Sequence, residues 1–161
     1  MNTPRSISTD CAGRMLVYDR GDKTVKVLSP DGTKLLQSLS CPGCNLPEFP
    51  KVALHHQDKF FVSCGSDHCV KVFNNEGQFL YDIGTEGPSK LCKSFGLAVD
   101  KFNNLLVCDG ENCKVFTLEG KFLNSIIEQP AQVQRLFSVA VSNAGQVFIT
   151  DTAKQCVHVF E

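Results

Sequence analysis

The chain has 161 residues, of which 42% are hydrophobic and 20% charged. That is enough for one domain with a sizeable core, and too apolar for disorder. Sixteen basic against 17 acidic side chains leave a formal charge of −1, which excludes a strongly basic nucleic-acid module and an acidic disordered tail. No apolar run reaches bilayer-spanning length. Met1-Asn2-Thr3-Pro4-Arg5 carries no apolar signal core, so a cytoplasmic chain is expected and its nine cysteines are read as reduced thiols, many buried as small hydrophobes.

The first predicted strand is Ser6–Asp10, followed by a turn at Gly13 and a second strand, Met15–Asp19. Val25-Lys26-Val27 makes a third, Asp31-Gly32 a turn pair, and Leu35–Leu39 a fourth. The same order returns with Lys51–His55, Phe60–Cys64, Val70-Lys71-Val72, Glu76-Gly77 and Phe79–Ile83. It returns again with Gly96–Asp100, Leu105–Asp109, Cys113-Lys114-Val115, Glu119-Gly120 and Phe122–Ile126. A last round comprises Ser138–Ser142, Val147–Asp151 and Val157-His158-Val159. The column Asp19, Cys64, Asp109, Asp151 steps by 45, 45 and 42 residues, as does Ile7, Val52, Leu97, Val139. The runs are short, β-branched and aromatic, bounded by Gly, Asn and Asp, with no sustained helical period.

Each unit is therefore a four-stranded meander, a-b-c-d, and a period in the low forties marks a propeller blade. A single blade cannot bury both faces; stacking does so. The small column Ser8, Ala53, Ala98, Ala140 suits strand a as the innermost strand. A β-sandwich would not need so regular a register.

The pattern Asp-x(5)-Val-x-Val-x(3)-(Asp/Glu)-Gly-x-x-Leu resembles the NHL repeat. His68–Leu80 with Ile83-Gly84-Thr85-Glu86-Gly87 is similar to a blade of the tripartite-motif NHL and Brain tumor family, as are the junction Glu48-Phe49-Pro50 and Thr3-Pro4-Arg5. The resemblance implies an all-β, six-bladed propeller, of which residues 1–161 form an incomplete open arc of about 3.75 NHL-repeat blades. The blades run roughly 5–46, 50–93, 95–136 and 137–161, the last without strand d. A fragment lacking N-terminal blades is expected, with RING, B-box and coiled-coil segments absent; a closed four-bladed ring is the alternative. Open blade edges predict association with the missing blades or self-association.

No catalytic constellation stands out, and no cofactor or metal is expected. His55-His56 closes strand a as a solvated turn, and His158 fills the slot of Lys26, Lys71 and Lys114. Cys41-Pro42-Gly43-Cys44 has the spacing of half a zinc site or a redox pair, but no second pair lies nearby, and it reads as a loop. Cys64/Cys69 and Cys108/Cys113 recur with the repeat and read as buried thiols, and Cys156 opens strand c as Cys69 does. The Asp column, one carboxylate per blade, cannot converge on one ion; its expected role is to accept hydrogen bonds from the following b–c turn.

Loops set the binding faces of a propeller, and neither face carries more than about one net charge of either sign. The resemblance implies a non-enzymatic module that selects protein targets for a RING-type ubiquitin ligase. Its alternative is binding of single-stranded RNA for post-transcriptional repression. A propeller lyase or lactonase would need convergent histidines and carboxylates. Candidate partner- or RNA-binding residues on the b–c and d–a loops are Arg5, Arg20, Lys23, Lys51, His68, Lys90, Lys93, Phe95, Arg135 and Lys154, with Phe137 beside them. Phe49 reads as junction core.

Overall fold

The computed structural model describes residues 1–40, 53–65, 67–93, 95–127 and 132–161. Cys41, Cys44, Phe49 and Lys51 lie outside the described residues. Among the described residues the chain forms 15 strands in four antiparallel sheets. Blade 1 is β1 (Pro4–Thr9), β2 (Met15–Asp19), β3 (Thr24–Leu28) and β4 (Leu35–Ser40). Blade 2 is β5 (Ala53–His56), β6 (Lys59–Cys64), β7 (Cys69–Asn74) and β8 (Phe79–Ile83). Blade 3 is β9 (Leu97–Val99), β10 (Asn104–Cys108), β11 (Cys113–Thr117) and β12 (Phe122–Ser125). Blade 4 has three strands, β13 (Leu136–Val141), β14 (Val147–Asp151) and β15 (Cys156–Phe160). Strands pair in chain order within every blade, so the expected meander is what forms.

The turns follow from local chemistry. Gly32, Gly77 and Gly120 sit at φ values of 73, 79 and 92°, which the c–d hairpins require and a side chain resists. Asp10 closes the first a–b turn by accepting the N–H groups of Ala12 and Arg14 at 3.0 and 2.9 Å. Asp100 does the same for Phe102 and Asn104, both at 2.8 Å.

The core lies between blades. Leu16, Tyr18, Val25, Val27 and Leu39 of blade 1 pack on Phe60, Val62, Cys64, Cys69 and Phe73 of blade 2. Phe61, Val70, Val72 and Ile83 meet Leu97, Leu105, Val107 and Phe116. Leu106, Cys108, Cys113 and Val115 meet Leu136, Val139 and Ile149. Each such side chain contributes about 1.5–3 kcal/mol by leaving water. Strands a crowd together at the inner edge. A Cβ on Gly96 would lie 2.6 Å from Cα of Ser138, so the approach of β9 to β13 depends on that glycine.

The arc is open. Ile7 of blade 1 is 64% exposed, whereas its equivalents Leu97 and Val139 are 5% and 6% exposed under the preceding blade. Val157 and Val159 of blade 4 are 55% and 54% exposed, whereas Val25, Val27, Val70 and Val72 are fully buried under the next blade. A closed four-bladed ring would bury all of these, so that alternative does not hold. Cys156 is exposed although it shares the register of buried Cys69: Cys69 has β8 beside it, with Asp82 3.7 Å from its sulfur, whereas the sheet of blade 4 has three strands. No helix among the described residues is long and apolar enough to cross a membrane.

Candidate functional site

The Asp column organises the loop face. Asp19 is buried at the end of β2 and accepts the N–H groups of Gly21 and Asp22 in the b–c turn at 3.1 and 3.4 Å. It also takes two donors that lead into strand a, Asn2 and Thr3, at 2.6 and 2.8 Å. Lys26 of β3 completes it at 3.0 Å. Asp151 repeats the arrangement with Ala153 and Lys154, both at 3.1 Å, and with Gln134 and Arg135 at 2.9 and 3.1 Å. His158 stands 3.4 Å away in the lysine slot. Asp109 takes Cys92 and Lys93 at 2.6 and 3.0 Å, and Lys114 at 2.8 Å.

The expected bond to the b–c turn is therefore half of the device at Asp19 and Asp151, while at Asp109 the main chain closes the turn, Glu111 N–H donating to the Asp109 carbonyl at 2.9 Å. The other half ties down the chain segment entering each blade, 17 and 16 residues earlier. Burial alone would raise the carboxyls of Asp19 and Asp151. Donation from Thr3, Asn2 and Lys26, and from Gln134, Lys154, Arg135 and His158, wins and holds both far below the usual carboxylate range. In blade 2 the column holds Cys64, which is no carboxylate, and the residue 17 positions earlier is Pro47, which has no N–H to give. Lys71 turns instead to Asp82 and Asp67 at 3.2 and 3.5 Å.

These clamps build a cleft on the loop face at the junction of blades 3 and 4. It has a volume of about 260 Å³ and is lined by Cys92, Lys93, Phe95, Glu111, Gln134 and Arg135 with Asp109 and Gly110. Phe95 stacks on Phe137 across the junction, with centroids 5.4 Å apart and planes 18° from parallel. The Phe95 carbonyl accepts the Ser63 hydroxyl at 2.9 Å, tying the cleft floor back to blade 2. Lys93 and Arg135 are exposed, and no ion pair engages either side chain among the described residues. Asp109 is neutralised by Lys114, leaving Glu111 as the exposed carboxylate of the cleft.

Three of the sequence candidates, Lys93, Phe95 and Arg135, thus meet in one place. Arg20, Lys23 and His68 are in the b–c turns of blades 1 and 2, with Lys23 and His68 both at φ 55°. Lys90 is exposed before Leu91, and its carbonyl accepts the Lys114 ammonium. The Lys154 ammonium reaches the Gln132 carbonyl at 2.6 Å. Arg5 lines a groove with Pro4, Ile7, Met15, Val17 and Leu28 on the uncovered face of blade 1, apart from the cleft. Sequence reasoning missed the donors entering strand a; their signal is the constant offset of Asn2-Thr3, Cys92-Lys93 and Gln134-Arg135 from the Asp column.

The described histidines are engaged locally or stand apart. His56 bonds Asn103 at 2.8 Å, His158 faces Asp151, and His68 is exposed in a b–c turn. No group of three or more His, Cys, Asp or Glu side chains comes together as a metal site among the described residues.

No protein-family model matches the chain, and no curated protein matches it. Solved structures do. Virginiamycin B lyase from Staphylococcus aureus superposes with a TM-score of 0.71 at 13% identity, over 98% of this chain and 55% of that one. A protein of unknown function from Bacteroides thetaiotaomicron gives 0.76 at 11% identity, over 98% and 47%. The WD40 β-propeller domain of Doa1 gives 0.66 at 17% identity, over 93% and 47%. These likenesses show a β-propeller fold. The chain spans about half the length of each of these structures.

Proposed function

We propose that this chain is a non-enzymatic recognition module, a stretch of an NHL-type propeller that binds a protein target on its b–c and d–a loop face. The observation that carries the reading is the blade 3–4 cleft. Lys93 and Arg135 line it with Phe95, whose ring stacks on Phe137, and their backbones are fixed by Asp109 and Asp151. Two exposed cations beside an aromatic floor match an acidic, aromatic-bearing segment of a partner protein. By the resemblance to tripartite-motif NHL proteins, the setting is target selection for a ubiquitin ligase in the cytoplasm.

The separation of His56, His68 and His158 supports a binding role over lyase chemistry, which needs an acid and a base within reach of one substrate atom. Single-stranded RNA is the second reading, favoured by aromatic rings beside cations. Glu111 in the same cleft, and a formal charge of −1 for the chain, weigh against a phosphate backbone there. The test is selection of displayed peptides on the native chain, with the double variant Lys93→Glu, Arg135→Glu as counter-target. Recovery of acidic sequences that the variant does not hold supports the reading. Sequences indifferent to the variant overturn it.

A further inference from the structure

We propose that Cys108 and Cys113 are a redox pair, two thiols held in register to close into a cross-strand disulfide at the root of the blade 3 b–c turn. The two residues lie directly opposite one another, at the end of β10 and the start of β11. Their backbones bond elsewhere. The Cys108 N–H donates to the Gly96 carbonyl at 2.9 Å, and the Cys108 carbonyl accepts the Phe95 N–H at 2.8 Å, so both groups point to the segment entering β9. The Cys113 N–H donates to the Asn112 side chain, and the Cys113 carbonyl accepts the Ile126 N–H, each at 2.8 Å. This is the narrow, non-hydrogen-bonded site of an antiparallel ladder, where opposed Cα atoms stand about 4.5 Å apart and side chains come closest. A disulfide spans Cα separations of about 4.4–6.8 Å, so this register already supplies the spacing that the bond needs.

The side chains agree with the backbone. Both are fully buried in one cluster with Leu136, Val139 and Ile149, and the two thiols are hydrogen-bonded to one another. Cys64 and Cys69 also oppose each other, across β6 and β7, but there the Asp82 carboxylate accepts the Cys69 thiol at 3.7 Å. The turn between Cys108 and Cys113 joins blade 3 to its neighbour: the Asp109 carboxylate holds the N–H groups of Cys92 and Lys93, and the Gly110 carbonyl accepts the Leu136 N–H at 2.7 Å. A disulfide at its root fastens that turn. The oxidant is a small-molecule disulfide, glutathione disulfide. One protein thiolate attacks a glutathione sulfur, forming a mixed disulfide and releasing one glutathione thiolate. The second protein thiolate then displaces the other glutathione and closes the Cys108–Cys113 bond. The pair gives up two electrons and two protons, and glutathione disulfide takes them up as two glutathione thiols. Burial covers both sulfurs in the closed structure, so exchange runs as the turn opens or as the chain folds.

Refolding in glutathione redox buffers tests this. The reduced, unfolded 161-residue chain is refolded in buffers of set composition until its thiol content no longer changes, with native far-UV circular dichroism regained. Samples are acid-quenched, blocked with N-ethylmaleimide and digested with trypsin. Cleavage after Lys101 and Lys114 leaves both cysteines in one peptide, 102–114, whose internal disulfide appears by mass as the loss of two hydrogens with no label added. Parallel samples in concentrated urea give the same peptide from the unfolded chain. Half-oxidation is expected at a value of [GSH]²/[GSSG] about tenfold or more higher in the folded chain than in urea, because the fold presents the two sulfurs to one another. An equal or lower value in the folded chain overturns the proposal. So does a folded chain whose peptide carries two labels, or a glutathione adduct, in the most oxidising buffer.

Discussion

The carboxylate of Asp151 accepts the backbone N–H of Arg135 at 3.1 Å, so the residue that offers a guanidinium to the cleft is held by the strand end of its own blade. Asp109 holds Lys93 in the same way at 3.0 Å. Replacing either aspartate by alanine takes the acceptor from at least two part-buried N–H donors and from the basic side chain beside it. The expected cost is about 2–3 kcal/mol in urea unfolding. A loss within the error of the measurement would show that the clamp does not organise the blade.

The same clamps set the acid response. The folded-state carboxyls of Asp19 and Asp151 lie below their ordinary value of 3.8. A depressed folded value gives stability that is complete above the unfolded pKa and disappears as pH falls toward the folded one. The urea midpoint is therefore expected to stay level from about pH 7 to 5 and to fall steadily below about pH 4. Asp19→Asn flattens that fall. A midpoint unchanged down to about pH 2 would contradict the assignment.

Gly96 is a packing requirement. Its missing side chain lets β9 approach β13, where a Cβ would meet Cα of Ser138 at 2.6 Å and the Val139 nitrogen at 2.7 Å. Both neighbours are backbone, so Gly96→Ala must push two strands apart. A cost of about 1–3 kcal/mol is expected, measured by thermal or urea unfolding. Unchanged stability would show that the blade 3–4 junction is looser than described.

The described cysteines divide by burial. Cys11, Cys92 and Cys156 are exposed, while Cys64, Cys69, Cys108 and Cys113 are buried. Burial, reinforced by the negative charge of Asp82, pushes the Cys69 thiol up to about 12. The hydrogen bond with Cys113, together with burial, raises Cys108 well above the ordinary thiol value. Iodoacetamide on the native chain at neutral pH, read by peptide mass spectrometry, is expected to modify the first three and to reach the buried four only after unfolding. Native labelling of Cys64 or Cys69 would mean that the blade 1–2 core opens.

Much of this fold is legible in the sequence, because each strand repeats its apolar column and its turn at one spacing. Asp19, Asp109 and Asp151 are visible as a column for the same reason. Their partners are harder to see. Asn2-Thr3 and Gln134-Arg135 share no side-chain chemistry, since they act through backbone N–H groups that every residue but proline carries. Neither is the contrast between buried Cys69 and exposed Cys156 readable from strand c alone: both open it, and what differs is the strand d beside Cys69, from which Asp82 reaches its sulfur. Arg5 sits in the strand column of Phe95, yet it lines an uncovered face because no blade precedes it among the described residues. Convergence of Lys93, Phe95 and Arg135 depends on two successive junctions meeting, a relationship between blades that a single repeat does not contain.

The most direct measurement of the recognition account is fluorescence anisotropy with two labelled probes, a short peptide carrying glutamates beside a phenylalanine and an oligouridine of similar charge. The account predicts that the peptide binds more tightly than the oligouridine. It also predicts that Lys93→Glu with Arg135→Glu weakens the peptide by about tenfold or more, the loss of roughly two charge-assisted contacts. Tighter binding of the oligouridine, with an affinity that falls steeply as salt rises, or peptide binding untouched by the double variant, would contradict it.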